Sequence, residues 1–525
     1  MKITSLLSLL LLPTVCLAQI EQMYVEYHNK EKKIKSKEGI YLDGKENGTW
    51  TYWHPDGTLK EVANYRYGKF NGKVETYHPN GKQFNLGFFK ENRQDSIFKT
   101  WYKNGQLGVQ GYFDEGIRDS LWTYFYDNGD PWKVIWFEED SSYYREAWNQ
   151  AGKKTLKNGN GSIETYNRGS FLVKKENFKD GIMDGVTEEF TSDGSIVLKG
   201  EYQKGKKSGT WVKYFSNGQK KWEKTFLDGK LEGGFHFYYE DGKKEREGQY
   251  IADNKSGLWV HYLPDAQIFM KGWFKEGLQD SLWEYHYEDG SLKNVGYYKA
   301  GKKEREWEFF YESGIKWKEG LYKEGKKTGQ WVYWHDLPEP TKMQEGKYEE
   351  GREEGPWTSW YQNGNVNDQG SFLAGQMNGE WKGYTSGGQI IYSGSLKSGI
   401  KEGDWQFWYT DGKIREQGAY LEGQHDGLWQ YYLPNGALDF QGPYKDGMKD
   451  GKWTYQSEVG TIAREEDYKK GKLHGTTTLY YPSTKVLSVA NYRYGRPDGN
   501  WYYYSSKGTL EKKMVFKNGL KVKQE

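Results

Sequence analysis

Bulky and polar side chains alternate along this chain in short runs that end at glycine-containing pairs. Gly403 to Asp426 displays one full unit: Asp404-Trp405-Gln406-Phe407-Trp408-Tyr409, the pair Asp411-Gly412, Ile414 to Leu421, and a second glycine link from Glu422 to Asp426. A period of two is the signature of a strand, in which successive side chains face opposite ways. Trp, Tyr, Phe, Thr and Val dominate these runs and suit strands. Asp-Gly or Asn-Gly seven residues after the first Trp recurs at Asp56-Gly57, Asn80-Gly81, Asn217-Gly218, Asp289-Gly290 and Asn435-Gly436. Such pairs predict positive-φ type I′ turns between antiparallel strands. Each unit is therefore expected to be a β-hairpin, with the second link leading into the next.

The unit recurs every 24 residues. Its anchor, usually Trp, stands at Trp50, Val74, Phe98, Trp122, Ile163, Thr187, Trp211, Phe235, Trp259, Trp283, Trp307, Trp331, Trp357, Trp381, Trp405, Trp429, Trp453, Thr477 and Trp501, which makes 19 copies. Two steps depart from the period. The step from Trp122 to Ile163 holds 17 extra residues, about Ser141 to Lys157, and the step from Trp331 to Trp357 holds two, near Asp336 to Pro340. Both read as loop insertions. The longer one, 141–160, is a candidate binding loop through Tyr144 and Trp148, or else a tolerated excursion.

A two-residue turn at Asp411-Gly412 places Trp405 opposite Gly418, with Phe407, Tyr409, Ile414 and Tyr420 on the same face. The Trp–Gly pair repeats as Trp259 with Gly272, Trp283 with Gly296, Trp381 with Gly394 and Trp429 with Gly442. A large ring over a cross-strand glycine covers bare backbone, so this face reads as the core. The opposite face carries one ring per copy, three after the anchor. Trp53, Trp101, Tyr214, Tyr262, Trp334, Trp360, Tyr384, Trp408, Tyr432 and Tyr504 are examples, and His286 and Gln456 are exceptions. Polar neighbours such as Gln406, Arg415 and Gln417 edge these rungs. Trp334, Trp360, Tyr384, Trp408 and Tyr432 are the candidate binding residues. The alternative is that successive rungs pack on one another.

Composition explains why such a pattern is needed. Charged residues make up 28% of the 525 and the mean hydropathy is -1.01, values that lean toward disorder. Against this stand 45 Tyr, 24 Trp and 23 Phe. Rings placed at regular intervals let so polar a chain fold. The net charge of +2 comes from 75 basic and 73 acidic groups with signs interspersed. This leaves no field that would draw nucleic acid.

The N-terminus reads Met1-Lys2, an apolar run from Ile3 to Leu12, then Pro13 to Gln19, which describes a signal peptide cleaved after Ala18. Val15 before Cys16 does not suit a lipid-attachment site. Cys16 is the one cysteine, so the mature chain relies on packing and hydrogen bonds rather than disulfides. Export to the periplasm, the cell surface or the medium is expected.

The segments Gly-x-Trp-x-x-Tyr-Tyr-x-Asn/Asp-Gly, as in Gly427 to Gly436, and Gly-x-Tyr-x-x-Gly, as in Gly418 to Gly423, resemble MORN repeats, in particular the bacterial variant found in YwqK-type antitoxin components. The resemblance implies an all-β fold: an elongated, curved or twisted single-layer antiparallel sheet of about 19 stacked 24-residue hairpins. It also implies scaffolding, lipid contact or membrane apposition. An antitoxin role would imply an intracellular toxin partner, which the signal peptide argues against. The expected organisation is a signal peptide at 1–18 and a polar cap with half a copy at 19–46. Repeats follow at 47–140, the insert at 141–160, repeats again at 161–520 and a polar tail at 521–525.

No catalytic constellation stands out. Histidines such as His54, His78, His236, His261, His286, His335 and His425 sit where other copies have aromatics, so substituted repeat positions are expected rather than metal ligands. No Gly-x-Ser-x-Gly elbow, His-Glu-x-x-His or Walker loop occurs. The expectation is a non-enzymatic exported scaffold without cofactor or metal that binds a protein partner. The alternatives are binding of an envelope polysaccharide on the aromatic rungs, and peripheral contact with a lipid surface.

Overall fold

The computed structural model describes residues 20–524 except Lys32. The expected signal peptide at 1–18, with Cys16, lies outside the described residues. The chain forms 45 strands of one antiparallel sheet, and there is no helix among the described residues. The sheet is open: strand Glu21–Tyr27 begins it and strand Leu520–Gln524 ends it. Two compact units divide it, Met1–Asn254 and Lys255–Glu525.

In the second unit the hairpin of strands Ile400–Trp408 and Ile414–Leu421 represents the repeat. Trp405 pairs with Gly418, as the spacing predicts, and the same pairing joins Trp259 to Gly272, Trp283 to Gly296, Trp381 to Gly394 and Trp429 to Gly442. The turn differs from expectation. Gly412 has φ +85° and Asp411 is not left-handed; the Gly412 N–H donates to the Tyr409 carbonyl at 3.0 Å, and the Tyr409 N–H to Lys413 at 2.8 Å. This is a type I turn closed by a left-handed glycine. The Asp411 carboxylate accepts from the Lys413 N–H at 3.1 Å, a bond that suits Asp or Asn there. The type I′ turn occurs at the other link, where Glu422 (φ +49°) and Gly423 (φ +80°) are both left-handed and Leu421 pairs with Gln424. Because the type I turn ends in a bulge, Ile414 pairs with Trp408 rather than sharing the Trp405 face.

The indole also departs from expectation. Trp405 leans away from Gly418 and lies over Gly394 of the preceding copy; a Cβ at Gly394 would fall inside the ring. Gly394 pairs with Trp405, but the next residue, Ser395, pairs with Glu402, so Gly403 and Asp404 bulge out. Gly403 supplies the left-handed backbone of that bulge, at φ +69°. The bulge leaves the Ser395 carbonyl to accept from Trp405 Nε1 at 3.0 Å. The same bond runs from Trp283 to Trp273, Trp331 to Leu321 and Trp429 to Ala419, at 3.1, 3.2 and 2.8 Å. Each indole thus staples its own copy to the one before.

Further contacts complete the core. Rings alternate edge to face along Trp307, Tyr322, Trp331, Tyr348, Trp357, Phe372 and Trp381, with centroids 5.1–6.0 Å apart. Both ends of the hairpins are bonded between copies. The Gly423 N–H donates to the Lys401 carbonyl at 3.0 Å, the Glu422 N–H to the Glu402 carboxylate at 3.0 Å, and Asn363 Nδ2 to the Ser386 carbonyl at 2.7 Å.

Two expectations for the first unit are corrected. The 141–160 insert is not a loop: strands Ser141–Trp148 and Lys154–Lys157 extend the sheet, joined by an Asn149–Gly152 turn and followed by a left-handed Asn158-Gly159 link. The extra residues are a shortened hairpin copy, which satisfies its backbone in the ladder instead of in solvent. Similarly, the polar cap holds a hairpin of strands Glu21–Tyr27 and Lys35–Leu42, in which Tyr24 pairs with Gly39 as the anchors do. The two residues added after Trp331 do fall in a hairpin turn, closed by the bond from the His335 N–H to Thr341.

Gly394→Ala displaces the Trp405 indole and is expected to cost about 3–5 kcal/mol, as for loss of a buried aromatic. Gly403→Ala meets open space and is expected to cost only the left-handed strain of about 1–2 kcal/mol. Arg305, left-handed at φ +60° in the equivalent bulge, gives the converse test: Arg305→Gly stabilises by about 1 kcal/mol. Urea denaturation followed by tryptophan fluorescence ranks the three.

Candidate functional site

Trp334, Trp360, Tyr384, Trp408 and Tyr432 lie in the second unit, each three residues after its anchor and half-buried on the face opposite the indoles. One hairpin separates successive rungs, about 10 Å at normal strand spacing. That is too far for ring-to-ring stacking, so the rungs do not pack on one another. The side chains paired with Trp360, Tyr384, Trp408 and Tyr432 across each hairpin are Val366, Ile390, Ile414 and Leu438. Sequence reasoning missed these four because the bulge in each type I turn moves them onto the rung face. The outcome is a stripe in which aromatic and aliphatic groups alternate.

The backbone under the stripe is locked. The hydroxyls of Tyr311, Tyr361 and Tyr409 donate to the carbonyls of Trp334, Tyr384 and Tyr432 in the next copy, at 3.0, 2.8 and 2.7 Å. His335 Nε2 does the same for Trp360 at 3.0 Å, and His78 for Trp101 at 2.9 Å. These histidines thus stand in for the repeat tyrosine. Amides edge the stripe: Gln406, Gln417, Gln430 and Gln441 form a ladder with bonds of 3.0, 2.7 and 2.9 Å, and Gln417 Nε2 also donates to the Tyr432 hydroxyl at 3.0 Å. Rim cations complete the edge, with Lys316 Nζ 5.8 Å from the Trp334 ring and Lys342 Nζ 5.6 Å from Trp360.

The other two candidates lie in the first unit. Tyr144 packs against Phe178 at 4.6 Å in a core cluster with Ala147, Leu156 and Ile163, so its ring is part of the packing. Trp148 holds a rung position: its carbonyl accepts from the Tyr126 hydroxyl at 2.8 Å, and Lys154 Nζ lies 4.8 Å over its ring.

Cations cover about half of the anchor indoles of this unit. The lysine four residues before the anchor lies over the ring at 4.0 Å for Lys303 on Trp307, 4.5 Å for Lys327 on Trp331, 4.6 Å for Lys401 on Trp405 and 3.9 Å for Lys449 on Trp453. Burial pushes the amines of Lys303, Lys401 and Lys449 down. Lys318, 3.7 Å over Trp317, is pushed down to about 8 by burial and then by Lys327 and Lys303. Among the described residues no cluster of three His, Cys, Asp or Glu could hold a metal ion.

A family model described as MORN repeat variant matches residues 46–67, 353–374, 401–422 and 426–446. Each matched stretch takes in both strands of one hairpin. No curated protein matches the chain. Among solved structures, TcdB2-TccC3-Cdc42 and TcdB2-TccC3-TEV are each 10% identical, over 95% and 94% of this chain and 31% of theirs, with a TM-score of 0.12. The Tc holotoxin pore of Photorhabdus luminescens is 10% identical over 94% of this chain and 32% of its own, with a TM-score of 0.13. The chain thus spans about a third of the length of the chains it matches, and at these scores the likeness carries no argument about it.

The depressed Lys318 amine has a measurable consequence. Between its folded value of about 8 and the free-lysine value of about 10.4, the unfolded chain binds the proton more tightly, so stability rises with pH across that window. Below it the folded protein carries a partly desolvated cation. Lys318→Met is expected to raise the unfolding midpoint at pH 7 and to lessen the gain in stability between pH 8 and 10. Thermal melts across that range check both.

Proposed function

Since this chain is a protein of MORN-variant repeats, we propose that it works as an exported, non-catalytic scaffold that binds another protein at the cell envelope through its rung stripe. The observation that supports this most is the regular placement of half-buried aromatic and aliphatic groups, Trp360-Val366, Tyr384-Ile390, Trp408-Ile414 and Tyr432-Leu438, on a backbone locked between copies. A partner pays little to order such a surface, because it is already rigid. Modest contacts repeated in register then add up along the array.

Polysaccharide binding is the second reading. Rungs about 10 Å apart with an amide ladder beside them would suit a sugar chain that stacks on alternate residues. The ladder amides bond mainly to one another, which leaves fewer of them for hydroxyl groups and favours the protein partner. A near-neutral surface disfavours strong attraction to anionic lipid.

Crosslinking and mass spectrometry on native envelopes tests the proposal. A protein crosslinked near Trp360 to Tyr432, and lost with Trp360→Ala plus Trp408→Ala, is the expected result. Each substitution is expected to weaken binding about tenfold, the loss typical of an interface aromatic. Retention on envelope polysaccharide with the same rung dependence would select the second reading instead.

A further inference from the structure

We propose that the indole face of the second unit carries a binding site for a quaternary or methylated ammonium group, between Trp357 and Trp381. The repeat itself points to it. Elsewhere in the unit an anchor indole has a cationic lid four residues before it, a ring two residues after it, or both. Lys401 and Phe407 serve Trp405 at 4.6 and 5.6 Å, Lys303 and Phe309 serve Trp307 at 4.0 and 5.8 Å, and Tyr285 stacks at 5.9 Å on Trp283, which has Gln279 in the lid position. At Trp357 the two positions hold Glu353 and Ser359, and at Trp381 they hold Met377 and Gly383. Among the described residues of this unit these two anchor indoles alone lack both partners.

Tyr392 of the return strand lies over Gly383 and takes part of the room left there; the rest stays open. A cavity of about 580 Å³ has an aromatic side formed by Tyr348, Trp357, Phe372 and Trp381, with Met343 and Met377 beside them, and a polar side that includes Gln344, Thr358, Gln362 and Asn367. A second of about 320 Å³ adjoins it, shares Asp368, Met377 and Trp381, and ends at Lys401 and Trp405. The first lies in the size range of small-molecule sites. Two carboxylates, Glu353 and Asp368, line it. Ser359 Oγ donates to Asp368 at 2.8 Å and fixes it beside the aromatic wall. Where other copies insert their own ammonium over the ring, this stretch offers indoles with no lysine lid, still mostly buried at 7% and 4% exposure, and negative charge beside them.

That chemistry selects the ligand. Indole faces attract a cation through the ring quadrupole, and the carboxylates reinforce the sign. A trimethylammonium group can lay its methyls against Trp357, Phe372, Trp381 and the methionines while Glu353 and Asp368 meet its charge, so both halves of the lining are used. Methionine side chains adapt to the shape of such a group.

Titrating the full chain with choline, with trimethyllysine and with 3,3-dimethylbutan-1-ol, the uncharged isostere of choline, tests this by calorimetry and tryptophan fluorescence. Saturable binding of the two cations is expected, with the isostere about tenfold weaker. Tighter binding of choline would assign the group to a small solute or lipid head, and of trimethyllysine to a modified protein. Met377→Lys restores the lid that the repeat uses elsewhere, so it is expected to abolish cation binding, with a retained β-sheet circular dichroism spectrum showing that the chain still folds. Asp368→Asn weakens binding about tenfold. Absence of saturable binding, equal affinity for the isostere, or unchanged binding in Met377→Lys overturns the proposal.

Discussion

A sheet one layer thick has no second layer to bury its apolar face, and this chain meets that constraint by laying nearly every anchor indole flat over a glycine of the preceding copy. The ring needs a floor without a side chain, a carbonyl for its Nε1 and a bulge that frees that carbonyl. Gly394, Ser395 and the left-handed Gly403 supply these for Trp405. Tyrosines and phenylalanines then close the gaps edge to face, and lysines roof the indoles. A chain that is 28% charged can fold because part of its charge serves as the cover of its core rather than as a solvated fringe.

The period, the hairpins and the Trp-to-Gly register were legible in the sequence because strand alternation and turn chemistry are local. The direction of the indole was not, since cross-strand pairing places Trp405 beside two glycines, Gly418 and Gly394. A signal was nevertheless there. Trp211 and Trp453 face Lys224 and Glu466 within their own hairpins, yet each has a glycine eleven residues earlier, Gly200 and Gly442. Turn type was misassigned because Asp-Gly serves both kinds of turn, and the side-chain bond from Asp411 decides between them. The contracted copy at 141–160 escaped notice because it lacks the anchor Trp and has a four-residue return strand.

For the candidate site, the rungs were readable as a fixed offset from the anchor, while their aliphatic partners were hidden by the turn bulge. Tyr144 looked exceptional in sequence only because its copy was unrecognised; in the fold it is an ordinary core ring. The cavity between Trp357 and Trp381 escaped for the opposite reason. It is marked by what two copies omit, and an omission is visible only once the lysine lid is known to be part of the repeat.

The indole reaches backward along the chain, so the array has a direction. A copy that has a glycine floor offers it to a ring that lies further toward the C-terminus. When the chain is delivered N-terminus first, a hairpin can therefore close its own strands but remains unroofed until its successor arrives. The order of delivery and the order of locking coincide, and the copy that arrived most recently is the least secured.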